Sequence, residues 1–563
     1  MNDARVRSAL LRAGRAQYCF ALLLLAACGQ APPPAAHAVL LPIDIRTQQL
    51  ANPAVPCDNT FISHPLDHVT AMDDSSALGM FESNGAGLGI NDLDNDGDLD
   101  LVLANLKGRN SILWNQGALS FRTEHLPHGD SRAVNLVDVD GDGWQDLVFS
   151  RRLDRPSYWR NEGSNAASRF TPVILPGVYY PAYAMTWGDV DADGDLDLAA
   201  AAYDAALEQA VIASHLTAFG GGVGVYYYEH QDDSFVPHKL APTAQALAIA
   251  LPDLDADGRL DLLVGNDFDL ADAAWLREDG GWRAVKPFAT TTRNTMSLDQ
   301  GDVDNDGSLE ILAVDMKPYD QGTRTIAAWR PMMEILPRPG PGARGQINEN
   351  VLQVRDRRGR FHNQAYTRSV DATGWSWSAK FGDLDNDGFL DLYVVNGMIA
   401  EGLFDHLPGA ELVEENQALR NDGRGAFVPV PAWGLGSTAS GRGMSMADLD
   451  NDGDLDIVVN NLEQPARVFE NRLCGGSSVL VDLLWPGSKN TRAIGARLAL
   501  HTSAGSYYRD IRVASGYLSG DPARAHFGFP AGATLQRLDI YWPDGAASSV
   551  ETPPARTLVT ITR

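Results

Sequence analysis

The stretch Asp92-Leu93-Asp94-Asn95-Asp96-Gly97-Asp98-Leu99-Asp100, followed by the apolar run Leu101-Val102-Leu103-Ala104, is the segment from which the rest of the chain can be read. It places acids at positions one, three, five and nine and a glycine at position six. The same pattern starts again at Asp138, Asp189, Asp253, Asp302, Asp383 and Asp448, with Gly143, Gly194, Gly258, Gly307, Gly388 and Gly453 at the sixth place. The starts are 46, 51, 64, 49, 81 and 65 residues apart. Such intervals are too irregular for a solenoid and suit propeller blades that carry insertions.

The residue types in each loop fit calcium. Ca²⁺ takes about 6–8 oxygen ligands, and alternate carboxylates in a tight turn can converge on one point. Glycine allows the sharp bend that a Cβ would obstruct. The expected side-chain ligands are Asp92, Asp94, Asp96 and Asp100 in the first loop, and Asp138, Asp140, Asp142 and Asp146 in the second. They continue as Asp189, Asp191, Asp193 and Asp197, then Asp253, Asp255, Asp257 and Asp261. The last three sets are Asp302, Asp304, Asp306 and Glu310; Asp383, Asp385, Asp387 and Asp391; and Asp448, Asp450, Asp452 and Asp456. A backbone carbonyl near position seven is expected to complete each site, giving about seven Ca²⁺ in all. An EF-hand begins the same way but needs Glu at position twelve and flanking helices. Position twelve is here Leu103, Phe149, Ala200, Val264, Ala313, Val394 and Val459, so the loops join strands.

The units share more than the loop. After the post-loop strand comes an aromatic strand ending near Asn, then Gly, then Phe, as in Trp114-Asn115, Gly117 and Phe121, or Asn421, Gly423, Gly425 and Phe427. Four strands per unit make a blade, and seven blades close into a disc without free sheet edges. Beyond residue 475 the apolar–polar alternation of Val479–Leu484, Arg497–Leu500 and Leu535–Trp542 predicts a further small domain. The expected fold is therefore all-β: a seven-bladed β-propeller over residues 58–475 followed by a β-sandwich-like domain over 476–563. The last blade lacks a fourth strand, because the next domain starts almost at once after Asn471. Phe61-Ile62-Ser63-His64 supplies it from the N-terminal side, and Cys57 and Cys474, flanking the two partners, are expected to form a disulfide in place of the hairpin turn.

With 563 residues the chain exceeds one ordinary domain. Its formal charge is −28, which opposes a nucleic-acid partner because phosphates would be repelled. The acid is concentrated: 31 of the 73 Asp and Glu lie in the seven loops. Arg5, Arg7, Arg12 and Arg15 precede the apolar run Cys19–Ala27, which is too short to span a bilayer and reads as a signal peptide over 1–27. Residues 28–57, rich in Pro and Ala at their start, read as an extended tether.

Three resemblances rest on these residues. Leu25-Ala26-Ala27-Cys28 resembles the lipobox of bacterial lipoproteins, which implies lipidation of Cys28; Gly29 in place of Asp implies a lipid anchor in the outer membrane, facing the periplasm or the cell surface. The loop units resemble the FG-GAP (VCBS) repeats of the integrin α-chain propeller. Gly374-Trp375-Ser376-Trp377-Ser378 with Val314-Asp315-Met316, and the tail segments Asn490–Arg497, Ser515–Ser519, His526-Phe527-Gly528 and Trp542–Gly545, are similar to bacterial relatives of cartilage acidic protein with an ASPIC/UnbV domain.

No catalytic signature is found: the chain has no Gly-x-Ser-x-Gly elbow, no His-Glu-x-x-His and no nucleotide loop. His526 and Trp542 are read as structural residues. The expected function is a binding or adhesion scaffold for a protein or glycan. Its rivals are a calcium-dependent polysaccharide lyase and an assembly factor of the outer membrane. Three insertions, Tyr203–Gly222, Met316–Glu349 and Met398–Gln417, fall between second and third strands, so they are expected on the face opposite the calcium loops. That face is the expected ligand face, and Met316–Glu349 is expected to be replaceable by a short linker without loss of folding.

Overall fold

The computed structural model describes residues 41–52, 56–72, 81–164, 166, 168–213, 222–335 and 345–563. The expected signal peptide and Cys28 lie outside them. Seven sheets form the propeller, each built outward from a strand that precedes a loop. Blade 1 runs Leu88–Asn91, Asp100–Leu103, Ser111–Asn115 and Phe121–His125. Blade 2 starts at Ser131–Val137, blade 3 at Ala184–Gly188 and blade 4 at Ala246–Ala250. Blade 5 starts at Ser297–Gly301, blade 6 at Gly374–Gly382 and blade 7 at Gly441–Ala447. The three longest inner strands, in blades 2, 6 and 7, are buried at every residue, whereas the outer strand Phe121–His125 is largely exposed. Inner strands are covered on both faces by their neighbours, which is why they read as apolar or small-residue runs.

The outer strand of blade 7 comes from the other end of the propeller. Thr60–Val69 pairs antiparallel with Pro465–Arg472, with Phe61 opposite Asn471. A disulfide joins Cys57 to Cys474 beside this pair, with Cα atoms 5.2 Å apart across 417 residues of sequence.

The C-terminal domain has two four-stranded sheets. One orders Ser506–Asp510, Arg497–Thr502, Leu535–Tyr541 and Ala547–Glu551. The other places Ser477–Leu484 between Arg524–Phe529 and a parallel Thr557–Thr562. Its edge strand is Asp44–Gln49, paired with Thr557–Thr562. The reading of 28–57 as tether is therefore corrected for 44–49. These six residues are all exposed on their outer side, so they lack the apolar alternation that marks a half-buried strand.

A second departure from the sequence reading concerns Ala514–Gly520. This hairpin leaves the C-terminal domain and enters the middle of the propeller, where Ser519–Gly520 joins the sheet of blade 1 beside Leu88–Asn91. Val134 N–H of blade 2 donates to Leu518 O, and Leu298 of blade 5 exchanges backbone hydrogen bonds with Gly516. Tyr517 N–H donates to Ser378 Oγ of blade 6, and Met444 N–H of blade 7 donates to Ser519 Oγ. Met185 and Leu247 of blades 3 and 4 line the remaining side. The close approach requires glycine: a Cβ on Gly87 would lie 2.1 Å from Leu518 O.

The three insertions leave the far ends of second strands, opposite the loops, as expected from the strand order. The expectation that Met316–Glu349 is dispensable does not hold. Met316–Lys317 extends the sheet of blade 6, and Gly345–Ile347 pairs with Thr290–Thr292. On the helix Thr323–Ile335, Trp329 and Met332 are buried, and Trp329 Nε1 donates to Glu414. Removing the whole segment would strip apolar cover from Trp375, whose ring centroid lies 5.7 Å from that of Trp329.

The ring closure generates a prediction. Replacing both Cys57 and Cys474 by Ser should lower the unfolding free energy by roughly 2–5 kcal/mol, the usual cost of losing a native crosslink. Denaturant titration of oxidised wild type and double variant measures it, and coincident curves would show that the bridge contributes nothing.

Candidate metal loops

Each loop is built by its own acids before any ion is considered. In loop 1, Asp92 accepts from the backbone N–H groups of Asp96 at 3.2 Å and Gly97 at 3.0 Å, and Asp96 accepts from Asp98 at 2.9 Å. The same bonds recur in loop 6, where Asp383 accepts from Asp387 and Gly388, and in loop 7, where Asp448 accepts from Asp452 and Gly453. Glycine at position six has φ from 86° to 99° in all seven loops, a left-handed region where a side chain would be strained.

The ninth acid ties the loop to its blade. Asp100 accepts from Leu93 N–H with one oxygen and from Asn115 N–H of the third strand with the other. Asp146, Asp197, Asp261, Asp391 and Asp456 make the equivalent pair of contacts. The side chain of the third-strand Asn then locks neighbouring blades. Asn421 Nδ2 donates to Leu390 O of its own loop and to Val303 O of the preceding blade's loop. Asn115, Asn161 and Asn471 do likewise towards Leu449, Leu93 and Leu384. The sequence repeat contained this Asn, but its role as a latch between blades could not be read without the ring.

In five loops carboxylate oxygens from three of the four expected positions converge. One oxygen from each of Asp92, Asp94 and Asp96 lies within 4.8 Å of the others, and the same holds for Asp138, Asp140 and Asp146 and for Asp189, Asp191 and Asp193. Asp253, Asp255 and Asp261, and Asp302, Asp304 and Asp306, form two further such groups. Buried oxygens of Asp94, Asp189, Asp191 and Asp304 have no hydrogen-bond partner. Burial pushes Asp100, Asp146 and Asp197 up to about 8 and Glu310 to about 9, and neighbouring acids add to the rise in most loops. Crowded, partly unsatisfied oxygen ligands with no nitrogen or sulfur among them fit a hard divalent cation such as Ca²⁺. In three loops a guanidinium already neutralises part of the set: Arg259 bonds Asp257 at 2.8 Å in loop 4, Arg368 bonds Asp304 at 2.8 Å in loop 5, and Arg420 bonds Asp385 at 2.5 Å and Asp387 at 2.8 Å in loop 6.

Two of the tail motifs singled out in the sequence, Asn490–Arg497 and His526-Phe527-Gly528, land on these loops. Thr491 donates to Asp138 at 2.5 Å, Asn490 N–H donates to Gly194 O, and Arg492 bonds Asn95. Arg497 donates to Gly307 O, Arg524 to Gly97 O, and His526 Nε2 contacts Gly453 O at 3.0 Å. A Cβ on Gly528 would lie 2.3 Å from Asp383 Oδ2, so the glycine of His526-Phe527-Gly528 is what lets the domain reach loop 6. Trp542 is core, with Nε1 donating to Ser548. The C-terminal domain therefore covers the loop face of the propeller.

A family model described as an FG-GAP-like repeat matches residues 92–149, 138–200, 253–313 and 411–459, and one described as ASPIC and UnbV matches 486–563. Cartilage acidic protein 1 of Xenopus tropicalis is 28% identical over 177 residues, which span 29% of this chain and 25% of that protein. The BBS1N–ARL6DN complex has a similar chain at a TM-score of 0.41 and 10% identity, covering 73% of this chain and 96% of that one. YCF48 bound to D1 peptide is similar at a TM-score of 0.39 and 8% identity, covering 75% and 99%. The chain is a β-propeller of FG-GAP-like repeats joined to an ASPIC and UnbV domain.

Two outcomes follow from this geometry. Asn421→Ala should cost about 1–3 kcal/mol, because two buried carbonyls lose their donor; a denaturant midpoint equal to wild type would refute the latch. The metal-free protein should lose stability as pH rises from about 4 to about 9. Carboxyls whose folded pKa is raised above the unfolded value contribute stability below the unfolded value and lose it through the folded one. Calcium, which favours the ionised form, should abolish that decline and raise the melting temperature. Melting curves across this range in EDTA and in calcium test both, and superimposable curves would mean the loops do not take the ion.

Proposed function

We propose that this protein is a calcium-loaded scaffold, held at the outer membrane by a lipid on Cys28, that binds a protein or glycan on the face opposite its calcium loops. The observation that carries the reading is the division of the propeller into two unlike faces. The loop face is occupied by the C-terminal domain, through the contacts of Thr491, Arg497, Arg524 and His526 described above. The other face is free of that domain and carries the three insertions. It also carries an exposed aromatic and aliphatic patch in the connection from blade 2 to blade 3, with Tyr179 at 66%, Tyr180 at 42% and Ile174 at 58% exposure. Tyr180 stacks on Tyr226 with centroids 4.6 Å apart, so its outward side is held rigid for a partner. Rigid, partly exposed tyrosines are favoured anchors in recognition surfaces. The chain enters by Asp44–Gln49 at an edge of the C-terminal domain. In this reading the membrane lies on the domain side and the insertion face points away from it.

The test is a glycan array and a pull-down from isolated outer-membrane vesicles, both with calcium present. Tyr179→Ser with Tyr180→Ser should abolish retention, while Tyr541→Ser, 44% exposed on the C-terminal domain, should leave it unchanged. Shortening of a bound polysaccharide would favour the lyase. Retention lost with Tyr541 and kept without Tyr179 and Tyr180 would move the binding face to the other side.

A further inference from the structure

We propose that the C-terminal domain carries an ester-hydrolysing site in which Ser506 is the nucleophile, His501 the general base and Asp539 the carboxylate that positions it. The three lie on one face of the sheet formed by Ser506–Asp510, Arg497–Thr502, Leu535–Tyr541 and Ala547–Glu551. Ser506 stands directly across from His501, and His501 across from Arg537, two residues before Asp539. His501 Nδ1 is 2.8 Å from Ser506 Oγ, and its Nε2 is 3.1 Å from Asp539 Oδ2. Opposed side chains on paired strands are close enough to touch, so the register of the sheet assembles the set.

The contacts fix where the protons are. A carboxylate can only accept, so Nε2 carries the ring proton of the neutral imidazole, and Nδ1 offers its lone pair to the Ser506 hydroxyl. Asp539 is held by two further donors, Arg537 Nε at 3.0 Å and Ser549 Oγ at 3.0 Å. A hydroxyl bonded to a base that is itself oriented by a third group is the arrangement that activates a serine. In the protease triad Nε2 faces the serine; the ring is turned here, but either nitrogen serves as base when the other is held protonated. Solvent reaches the set: the His501 side chain is 24% exposed and that of Asp539 17%. Such a set is recognised by geometry and roles and not by spacing in the chain, so no sequence motif announces it.

The backbone supplies a donor for the developing oxyanion. Thr502 N–H donates to Gly505 O and Ile511 N–H to Ala496 O, so His501 and Ser506 form a pair that exchanges no backbone hydrogen bond. Ser506–Asp510 is the last strand of its sheet, and the Ser506 N–H therefore points off the open edge, beside its own Oγ, where a carbonyl oxygen can turn negative. Ser506 Oγ bonds to the carbonyl carbon as its proton passes to His501 Nδ1. The C–O bond to the alcohol then breaks, and the alcohol leaves with that proton. Water attacks the acyl-serine and gives its proton to Nδ1, and Ser506 Oγ departs with that proton as the carboxylic acid is released. The acyl group must be short. The neighbouring row of the sheet offers only Ala499, between Tyr508 and Asp539, and the Arg497 guanidinium lies 5.4 Å from the Tyr508 ring centroid, so charge closes the apolar spot. The site belongs to the C-terminal domain and not to the insertion face, so it and the scaffold reading stand or fall separately.

The full-length protein, with calcium present, is given 4-nitrophenyl butyrate, and release of nitrophenol is followed. Saturable hydrolysis is expected, with the octanoate ester ~tenfold poorer in kcat/KM. Ser506→Ala and His501→Ala should each lower kcat/KM by about 100-fold or more. Asp539→Asn removes a positioning residue: it should lower kcat with little change in KM. It should also move the midpoint of the pH–rate profile to lower pH, since the imidazolium loses its carboxylate. Peptide mapping of the unaltered protein after treatment with a fluorophosphonate should place the adduct on Ser506, and this result decides if a variant fails to fold. Hydrolysis that survives in Ser506→Ala would reduce the set to an exposed imidazole acting alone and overturn the proposal. So would an adduct elsewhere or none, or the absence of saturable turnover of the short ester.

Discussion

The carboxylate at the ninth position of each loop is the contact on which the blades depend. In six loops its two oxygens accept from two different strands' ends, the loop's second residue and the third strand. In loop 5 Glu310 makes the first of these contacts, to Val303, at 3.0 Å. An acceptor-only side chain is required there, because both partners are backbone donors. Being buried, it is also costly to ionise, and the neighbouring acids of the same loop raise that cost. A divalent cation bound there would relieve both penalties at once. The geometry that organises the blade is therefore also a geometry that would suit such an ion.

Order then passes sideways. The Asn that ends a third strand reaches the loop of the preceding blade, and the Asn at position four reaches the loop of the following one. Asn95 donates to Gly143 O, Asn305 to Gly388 O, and Asn451 to Asp98 of blade 1, which carries the lacing across the closure. Where His230, Arg277 and Arg355 replace the latch Asn, the pattern thins, although Arg355 still reaches Leu254 O. Each loop is thus stabilised by neighbours on both sides over much of the ring.

How much of this was legible depended on repetition. Strand order, the clustering of loop acids and the strand donated by Phe61–His64 could be read because seven copies share one pattern, so a missing element shows as a gap. Asp44–Gln49 could not be read, since a single exposed edge strand has neither periodicity nor a second copy. The Ala514–Gly520 hairpin escaped for another reason. Its small and aromatic residues satisfy partners in five blades that are distant in sequence, and no local signal announces a segment whose bonds are all made elsewhere. The tail motifs were visible as words, but their meaning lay in the loops they touch.

The placement of the C-terminal domain makes the two halves one thermodynamic object. Its contacts fall on loop backbones and loop acids, such as Gly97 O, Gly194 O, Gly307 O, Gly453 O and Asp138, while its hairpin bonds inner strands. Any change that reshapes a loop, such as the binding or loss of a cation, would alter the surface on which the domain rests. Conversely, domain contacts that hold a loop closed favour the arrangement that binds the ion, since a coupling between two events acts equally on both. The hairpin reaches towards the insertion face as well: Tyr517 Oη accepts from Gly85 N–H at 2.9 Å, in the connection that leads into blade 1. The exposed residues of that face, such as Tyr179 and Ile174, take no part in the loop and hairpin bonds described above, so they can change without reshaping either.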